Sequence, residues 1–365
     1  MKIPQFKSFV NKEDYIAEIH PVFEKKYIAE GPLGQQFREK LLNITGAEHA
    51  VLASNGTLAI YLALRALGIG RGDEVIVQNV TFIASGNAVE MVGATPVFVD
   101  IKAPNDMTID LDLVKAKLTP NTKAIMIAHL FGSACTNIYE IRDFCREHNL
   151  LLVEDAAQAL AITDGKEHCG TIGDIGTFSF YADKTITTGE GGLVVTNDEE
   201  IYENMLFLRN QGRRSSGTFV HERIGYNFRM TDLQSALGLA QLKKLDIIKE
   251  EKRKIYEEYQ KHLGGKVEFL KLHSEFTFIP FRVVVFVENA VHTMHQMKED
   301  GIEPRSVFYP LHRQPCYEYL EYNDSDFPQS MECFERGICL PTWIGMTPEM
   351  IEYTSKSLLK SIGKA

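Results

Sequence analysis

The sequence predicts an α/β fold: a large domain built on a mostly parallel sheet with helices on both faces, followed by a smaller C-terminal α+β domain. Three observations carry that expectation. Between residues 50 and 200, short apolar runs rich in β-branched residues alternate with stretches of helical periodicity. Those runs are mostly continuous rather than alternating, as in strands buried on both faces. After Thr231 the pattern changes to long charged helices mixed with scattered strand-like runs.

In chain order, the predicted strands of the large domain are Glu74–Gln78 (EVIVQ), Pro96–Ile101 (PVFVDI), Ala124–Leu130 (AIMIAHL), Leu150–Glu154 (LLLVE), Thr177–Tyr181 (TFSFY) and Leu193–Thr196 (LVVT). Thr57–Leu67 and Ile138–His148 carry the helical period between them. Leu233–Lys244 reads as an apolar-striped helix and Ile247–His262 as a long charged one. Strand-like runs follow at Val267–Leu272, Phe276–Val287 and Arg305–Tyr309, with helices at Val291–Glu299 and Pro348–Ile362. The domains are expected at 1–245 and 246–365, with about 25 N-terminal residues packing on the smaller one.

Composition narrows the function. Of 365 residues, 44% are hydrophobic and 24% charged, an ordinary globular balance. The net charge of −10, with no basic block, gives no support to a nucleic-acid or anionic-membrane partner. The N-terminus, MKIPQFKSFVNKEDY, lacks the apolar core of a signal peptide, and no stretch reaches membrane-span length. The six cysteines show no C-x-x-C spacing, which suits reduced thiols in a cytoplasmic protein. No metal site is expected, because the eleven histidines include no H-E-x-x-H pair.

Three stretches carry chemistry. In LLLVEDAAQ (150–158) a buried strand ends on Glu154 and Asp155, where parallel sheets bind ligands. Asp155 either caps a following turn or pairs with a protonated heterocyclic nitrogen, since a buried carboxylate is costly without a partner. In GDIGTFSFYADKTITTGEGGLVVTN (173–197) two buried strands bracket a loop that carries Lys184. A lysine desolvated in that way suits Schiff-base chemistry. In ASNGTLAI (53–60), Ser54-Asn55-Gly56-Thr57 opens a helix, whose start receives phosphate well; plain capping by Ser54 or Asn55 is the simpler reading. Ser179, on the opposite face of its strand from Phe178 and Phe180, could add a hydroxyl to the same anion. A phosphate site, a strand-end Asp, a Ser and a loop Lys in this order form a complete set of contacts for pyridoxal 5′-phosphate (PLP).

With these stretches the chain resembles the DegT/DnrJ/EryC1/StrS sugar aminotransferases, of the aspartate-aminotransferase-like fold (PLP fold type I), and most of all their perosamine-synthase branch. The resemblance runs from about residue 25 to the end. Its most specific stretches are SNGT (54–57), VTFIASGNAVEMVGATPVFVD (80–100), VEDAAQ (153–158), GDIGTFSFYADKTITTGEGG (173–192), GYNFRMTDLQSALGLAQL (225–242) and VFYPLH (307–312). It implies that Lys184 holds PLP covalently, that Asp155 pairs with the pyridine nitrogen, and that Gln158 lies on the ring hydroxyl side. It implies that Phe82 stacks on the ring, and that the Gly56 and Thr57 amides with the Ser179 hydroxyl hold the phosphate. Asn227 matches a residue that reaches the phosphate from a neighbouring subunit, which implies a homodimer with shared active sites. Arg229 matches a residue that meets the donor carboxylates, with a surface ion pair as the other reading; His312 in VFYPLH could reach the substrate or be a structural histidine.

The implied reaction is transfer of the amino group of L-glutamate to a keto sugar nucleotide, a 4-keto-6-deoxy sugar in the perosamine-synthase branch, for surface-polysaccharide sugars. Lys at position 184, where related dehydratases carry His, favours transamination over dehydration. A small phosphorylated ketone or a non-nucleotide keto sugar is the alternative acceptor, and a catalytically idle structural relative is the distant one. Asp183 beside the lysine, the run 270–287 at the expected substrate mouth, and HLFGSACTN (129–137) depart from the family pattern.

Overall fold

A computed structural model describes residues 2–24, 28–213, 217 and 219–364. At its centre is a seven-stranded sheet in the order His49–Ala53, Gly192–Thr196, Ile175–Ser179, Leu151–Asp155, Thr122–Ala128, Glu74–Gln78, Thr95–Val99. Gly192–Thr196 is antiparallel to both of its neighbours, and every other pairing is parallel. The continuous apolar runs have the predicted cause. Along Glu74–Gln78, Ile76 packs into one core while Val75 and Val77 pack into another; Ile125 and Ile127 are likewise opposed to Ala124 and Met126. Each strand therefore buries both faces, and a polar substitution on either would leave an unpaired group in the core.

Register aligns the strand ends. Ala128, Asp155 and Thr177 sit side by side on adjacent strands, as do Ser179, Gly192 and Ala53. The helix Gly56–Ala66 starts just beyond Ala53 and so begins beside Ser179.

A four-stranded antiparallel sheet, in the order Glu268–Phe269, Val283–Phe286, Gly337–Leu340, Arg305–Ser306, forms the C-terminal part with the helices Leu245–Leu263, Ala290–Glu299 and Pro348–Ser361. Phe131 and Leu130 from the large-sheet side share a core with Phe281, Val284 and Val307. The N-terminal segment divides its contacts. Ile3 exchanges backbone bonds with Gly301 and Glu303 on the C-terminal part, at 2.9 Å each. The helix Lys12–Glu24 instead lies along Asp232–Leu242, tied by the pairs Glu18–Lys243 and Asp14–Lys244.

Four predicted strands are shorter than expected: Val267–Leu272 and Arg305–Tyr309 reduce to Glu268–Phe269 and Arg305–Ser306, and two longer runs are interrupted. Phe276–Val287 is strand only over Val283–Phe286. The residues before it pair elsewhere: Ile279 and Phe281 donate to the carbonyls of Gly132 and Phe131, at 3.2 and 3.0 Å, and Pro280 has no N–H to offer a sheet. Pro96–Ile101 breaks at Asp100, whose carboxylate accepts from Gln329 and Ser330 at the start of the helix Pro328–Arg336. Ile101–Ala103 then turns into a separate hairpin with Asp106–Ile109.

Candidate active site

A cavity of about 780 Å³ opens at the carboxyl ends of the parallel strands. Gly56, Thr57, Asp155, Ser179 and Lys184 line one side, and Phe281, Arg282 and Arg305 of the C-terminal part line the other.

The helix Gly56–Ala66 offers its first amides to this space. Asn55 is its N-cap, and its side-chain oxygen accepts from Leu58 N–H at 2.9 Å. Gly56 and Thr57, one and two residues into the helix, have no intrahelical acceptor, and the cap serves Leu58 instead. Capping and anion binding are therefore compatible: the cap leaves the two amides that face the cavity. Gly56 is required by close approach, since a Cβ there would lie 2.8 Å from Cβ of Ser179. The Ser179 hydroxyl is thereby held against the same helix start.

Asp155 closes its strand with a buried carboxylate, 6% exposed. Ser85 Oγ donates to one oxygen at 2.7 Å and Ala157 N–H to the other at 3.1 Å. No α-helix follows, so the carboxylate orders a turn while facing the cavity. Its neighbour Glu154 points away and is consumed by structure, accepting from Gly170, Ile172 and Gly173 N–H and meeting His129 Nε2 at 2.8 Å. Cys135 N–H donates to His129 Nδ1, so the imidazole proton sits on Nε2 and goes to Glu154. Gln158 accepts Phe131 N–H through its side-chain oxygen at 2.7 Å, which leaves its NH2 for the cavity.

Lys184 lies in a loop built by threonines: Thr187 Oγ1 donates to Phe180 C=O and accepts from Gly189 N–H, and Thr188 Oγ1 donates to Glu190 C=O. Its Nζ stands 4.6 Å from the centroid of the Phe281 ring. Desolvation by the surrounding protein holds the amine pKa below the ordinary lysine value; Asp183 and Asp155 oppose that shift and Arg282 adds to it. Phe82, 54% exposed despite its size, borders the cavity with its ring 6.0 Å from that of Phe308. An apolar ring left open at a cavity wall is a ready stacking surface.

Three residues fall outside this cavity. His312 is buried, with Asn79 Nδ2 donating to Nδ1 at 2.8 Å and Nε2 donating to Asp324 at 3.1 Å. Phe327 stacks on the ring, and burial lowers the imidazole pKa. Both ring nitrogens of His312 are thus committed to protein partners, and the residue does not border the Lys184 cavity. Arg229 lines a separate cavity of about 370 Å³ and donates to Asn227 at 3.1 Å; both are exposed and neither borders the Lys184 cavity of its own chain.

Sequence reasoning missed Ser85, Phe281 and Arg282. A serine in the first turn of a short helix and an FR pair in an apolar run carry no local signal of a role. The departures singled out in the sequence meet in space: Asp183 and Arg282 form an ion pair at 2.7 Å, and the 129–137 loop bonds to 276–281.

The constellation fits PLP. Free helix-start amides and a hydroxyl suit its phosphate, a buried carboxylate its ring nitrogen, an open aromatic face its ring, and a desolvated amine its aldehyde.

Comparison with known proteins agrees. The family model described as the DegT/DnrJ/EryC1/StrS aminotransferase family matches residues 10–359. A GDP-perosamine synthase of Vibrio cholerae is 38% identical over 323 residues, 87% of each chain. The spore coat polysaccharide biosynthesis protein SpsC of Bacillus subtilis is 34% identical, over 96% of this chain and 94% of its own. Among solved structures, the PLP-form of the Streptococcus pneumoniae protein Spr1654 superposes with a TM-score of 0.92 at 27% identity, over 100% of this chain and 99% of that one. Fold, cavity and sequence likeness along nearly the whole chain converge, and the chain belongs to the DegT/DnrJ/EryC1/StrS family of PLP-dependent aminotransferases.

Proposed function

We propose that this enzyme transfers the amino group of L-glutamate to a keto sugar nucleotide, a GDP-linked 4-keto-6-deoxy sugar by preference, in the cytoplasmic synthesis of surface-polysaccharide sugars. The observation that carries this reading is the 38% identity to a GDP-perosamine synthase over 87% of both chains. The cavity is large enough for more than a cofactor, and beyond Phe82 and Arg305 it adjoins a second opening of about 530 Å³. All six cysteines are free thiols, which suits a reducing compartment.

Bound PLP supplies an electron sink for the carbon that loses its proton. Lys184 Nζ would hold the cofactor covalently, and as a free amine it would move protons at the reacting carbon. Burial lowers its pKa, so the amine gives up its proton more readily than an ordinary lysine. Asp155, aimed by Ser85 and Ala157, holds the proton on the ring nitrogen. The Gly56 and Thr57 amides and the Ser179 hydroxyl take the phosphate, Gln158 NH2 serves the ring oxygen, and the Phe82 face stacks on the ring. Asn227 and Arg229 do not border the cavity of their own chain, and we assign them to the site of a partner in a homodimer, Asn227 to its phosphate and Arg229 to the donor carboxylates. We read residues 1–245 as the cofactor lobe and 246–365 as the smaller lobe that closes the opposite wall.

The test is an assay of the PLP-loaded enzyme with L-glutamate and a panel of keto sugar nucleotides, following 2-oxoglutarate. Turnover that requires the nucleotide is expected. No turnover with any nucleotide sugar would remove the proposal. Turnover of a small keto phosphate alone would favour the second acceptor, which the unusual run 270–287, with Phe281 and Arg282 at the cavity, supports.

A further inference from the structure

Behind Lys184 lies a buried group of charges that the roles assigned above leave unexplained. Asp183 immediately precedes the lysine, and its carboxylate accepts from Arg282 Nη2 at 2.7 Å, with the two side chains 13% and 5% exposed. Arg282 Nη1 donates to the carbonyl of Phe281 at 2.9 Å, and its guanidinium carbon stands 4.2 Å from the Phe281 ring centroid. The Lys184 amine rests on that same ring. Lys252, buried on the helix Leu245–Leu263, donates to Pro280 C=O at 3.1 Å. Asp183, Lys184, Lys252 and Arg282 together line one small void beneath the main cavity.

This arrangement has an electrostatic consequence. Asp183 is the anion of that void, and four basic side chains line it with Asp183: Lys7, Lys184, Lys252 and Arg282. The charge of Arg282 is fixed at any ordinary pH, and at low local dielectric its field reaches the lysine nitrogen with little screening. Around that nitrogen stand Asp183 and Glu190 of its own loop, Asp155 of the strand Leu151–Asp155, Lys7 of the N-terminal segment, Lys252 of the long helix, and Arg282 and Arg305 of the opposite wall, with His129 and Tyr181 also at the cavity. Asp155 is committed to Ser85 and the turn. Asp183 is the carboxylate bonded to the arginine.

We propose that Asp183 and Arg282 are a positioning pair that tunes the proton affinity of the Lys184 nitrogen: Asp183 cancels the field of Arg282, and Arg282 pins the Phe281 face on which the amine rests. The proposal rests on the reading that Lys184 bonds the cofactor. Removing the carboxylate charge leaves an uncancelled cation beside the nitrogen, which then gives up its proton more readily. Removing the guanidinium charge leaves an uncancelled anion and does the opposite. Removing both restores the balance.

The experiment is a pH titration of the visible absorbance of the PLP-loaded enzyme, which reports the proton on the lysine–cofactor nitrogen without turnover. Asp183→Asn is expected to lower the midpoint by about one pH unit and Arg282→Met to raise it by a similar amount. The double variant should return close to wild type, and Arg282→Lys, which keeps the charge, should shift little. A purely structural role would disturb both single variants in the same direction, or move neither, and either result overturns the proposal. If the single variants do not fold, the double and Arg282→Lys variants carry the test, and a midpoint displaced by a full unit in both overturns it. Borohydride reduction and peptide mapping of each loaded variant separate the two failures. Label on another lysine removes the reading of Lys184 and this inference with it; label on Lys184 without opposed shifts removes this inference alone.

Discussion

Ser85 Oγ donates to Oδ2 of Asp155 at 2.7 Å, joining the first turn of the helix Ala84–Met91 to the end of the strand Leu151–Asp155. The hydroxyl is buried, so it has no water to replace the bond, and the carboxylate is aimed by it. Asp155→Asn is expected to slow turnover by roughly 10²–10⁴-fold, and Ser85→Ala by about tenfold, with the fold intact by circular dichroism. Near-normal rates in Asp155→Asn would contradict a carboxylate paired with the ring nitrogen. Lys184→Ala should abolish turnover altogether.

Gly56 and Ser179 give a second prediction. A methyl group at position 56 meets Cβ of Ser179 at 2.8 Å and must push the helix start away from the strand. Gly56→Ala should weaken PLP binding by about tenfold or more and lower stability by about 1–3 kcal/mol. Titration of the apo-protein with PLP measures it, and an unaltered dissociation constant would count against a phosphate held at these amides.

His312 yields the reverse expectation, a stability effect without a catalytic one. His312→Ala leaves the fully buried Asn79 amide without its acceptor and removes the ring stacked on Phe327. Urea denaturation should show a loss of about 2 kcal/mol, with kcat/KM changed by less than about threefold. A stable variant with a collapsed kcat/KM would return His312 to the substrate.

Lys252 predicts a pH dependence. Burial pushes its pKa down to about 7 from the ordinary 10.5. Between those two values the unfolded chain binds a proton that the folded chain does not, so unfolding free energy from this group rises with pH across the window. The destabilisation is essentially full at pH 7 and vanishes above 10.5. Lys252→Met should therefore raise Tm at pH 7 by about 2–4 °C and give a much smaller gain at pH 10. An equal gain at both values would show that packing, not ionisation, is the cause.

Much of this was legible in the sequence, for a definite reason. Strands buried on both faces write continuous apolar runs, so Glu74–Gln78 is observed as predicted, and the runs ending near Asp155 and Ser179 shift by one or two residues. Lys184 and Asp155 could be singled out because strand ends in a parallel sheet border a ligand cleft. The C-terminal part was harder to read. Phe276–Val287 is mostly apolar, yet its first half bonds to the distant loop 129–137, and no local pattern encodes such a partner. Ser85 and Arg282 escaped for the same reason: each matters only through a residue remote in sequence, Asp155 and Asp183.

The backbone bonds from Ile279 and Phe281 to Gly132 and Phe131 have a bearing on engineering. Gly132, at φ +93°, leaves no room for a side chain, because a Cβ would fall 1.9 Å from the Ile279 carbonyl oxygen. The two strips form a seam as tight as a sheet pairing, although neither is a strand. Anyone grafting a relative's sequence onto this scaffold must transplant 129–137 and 270–287 as a matched set; either one alone would meet a foreign edge at Gly132 and Ile279.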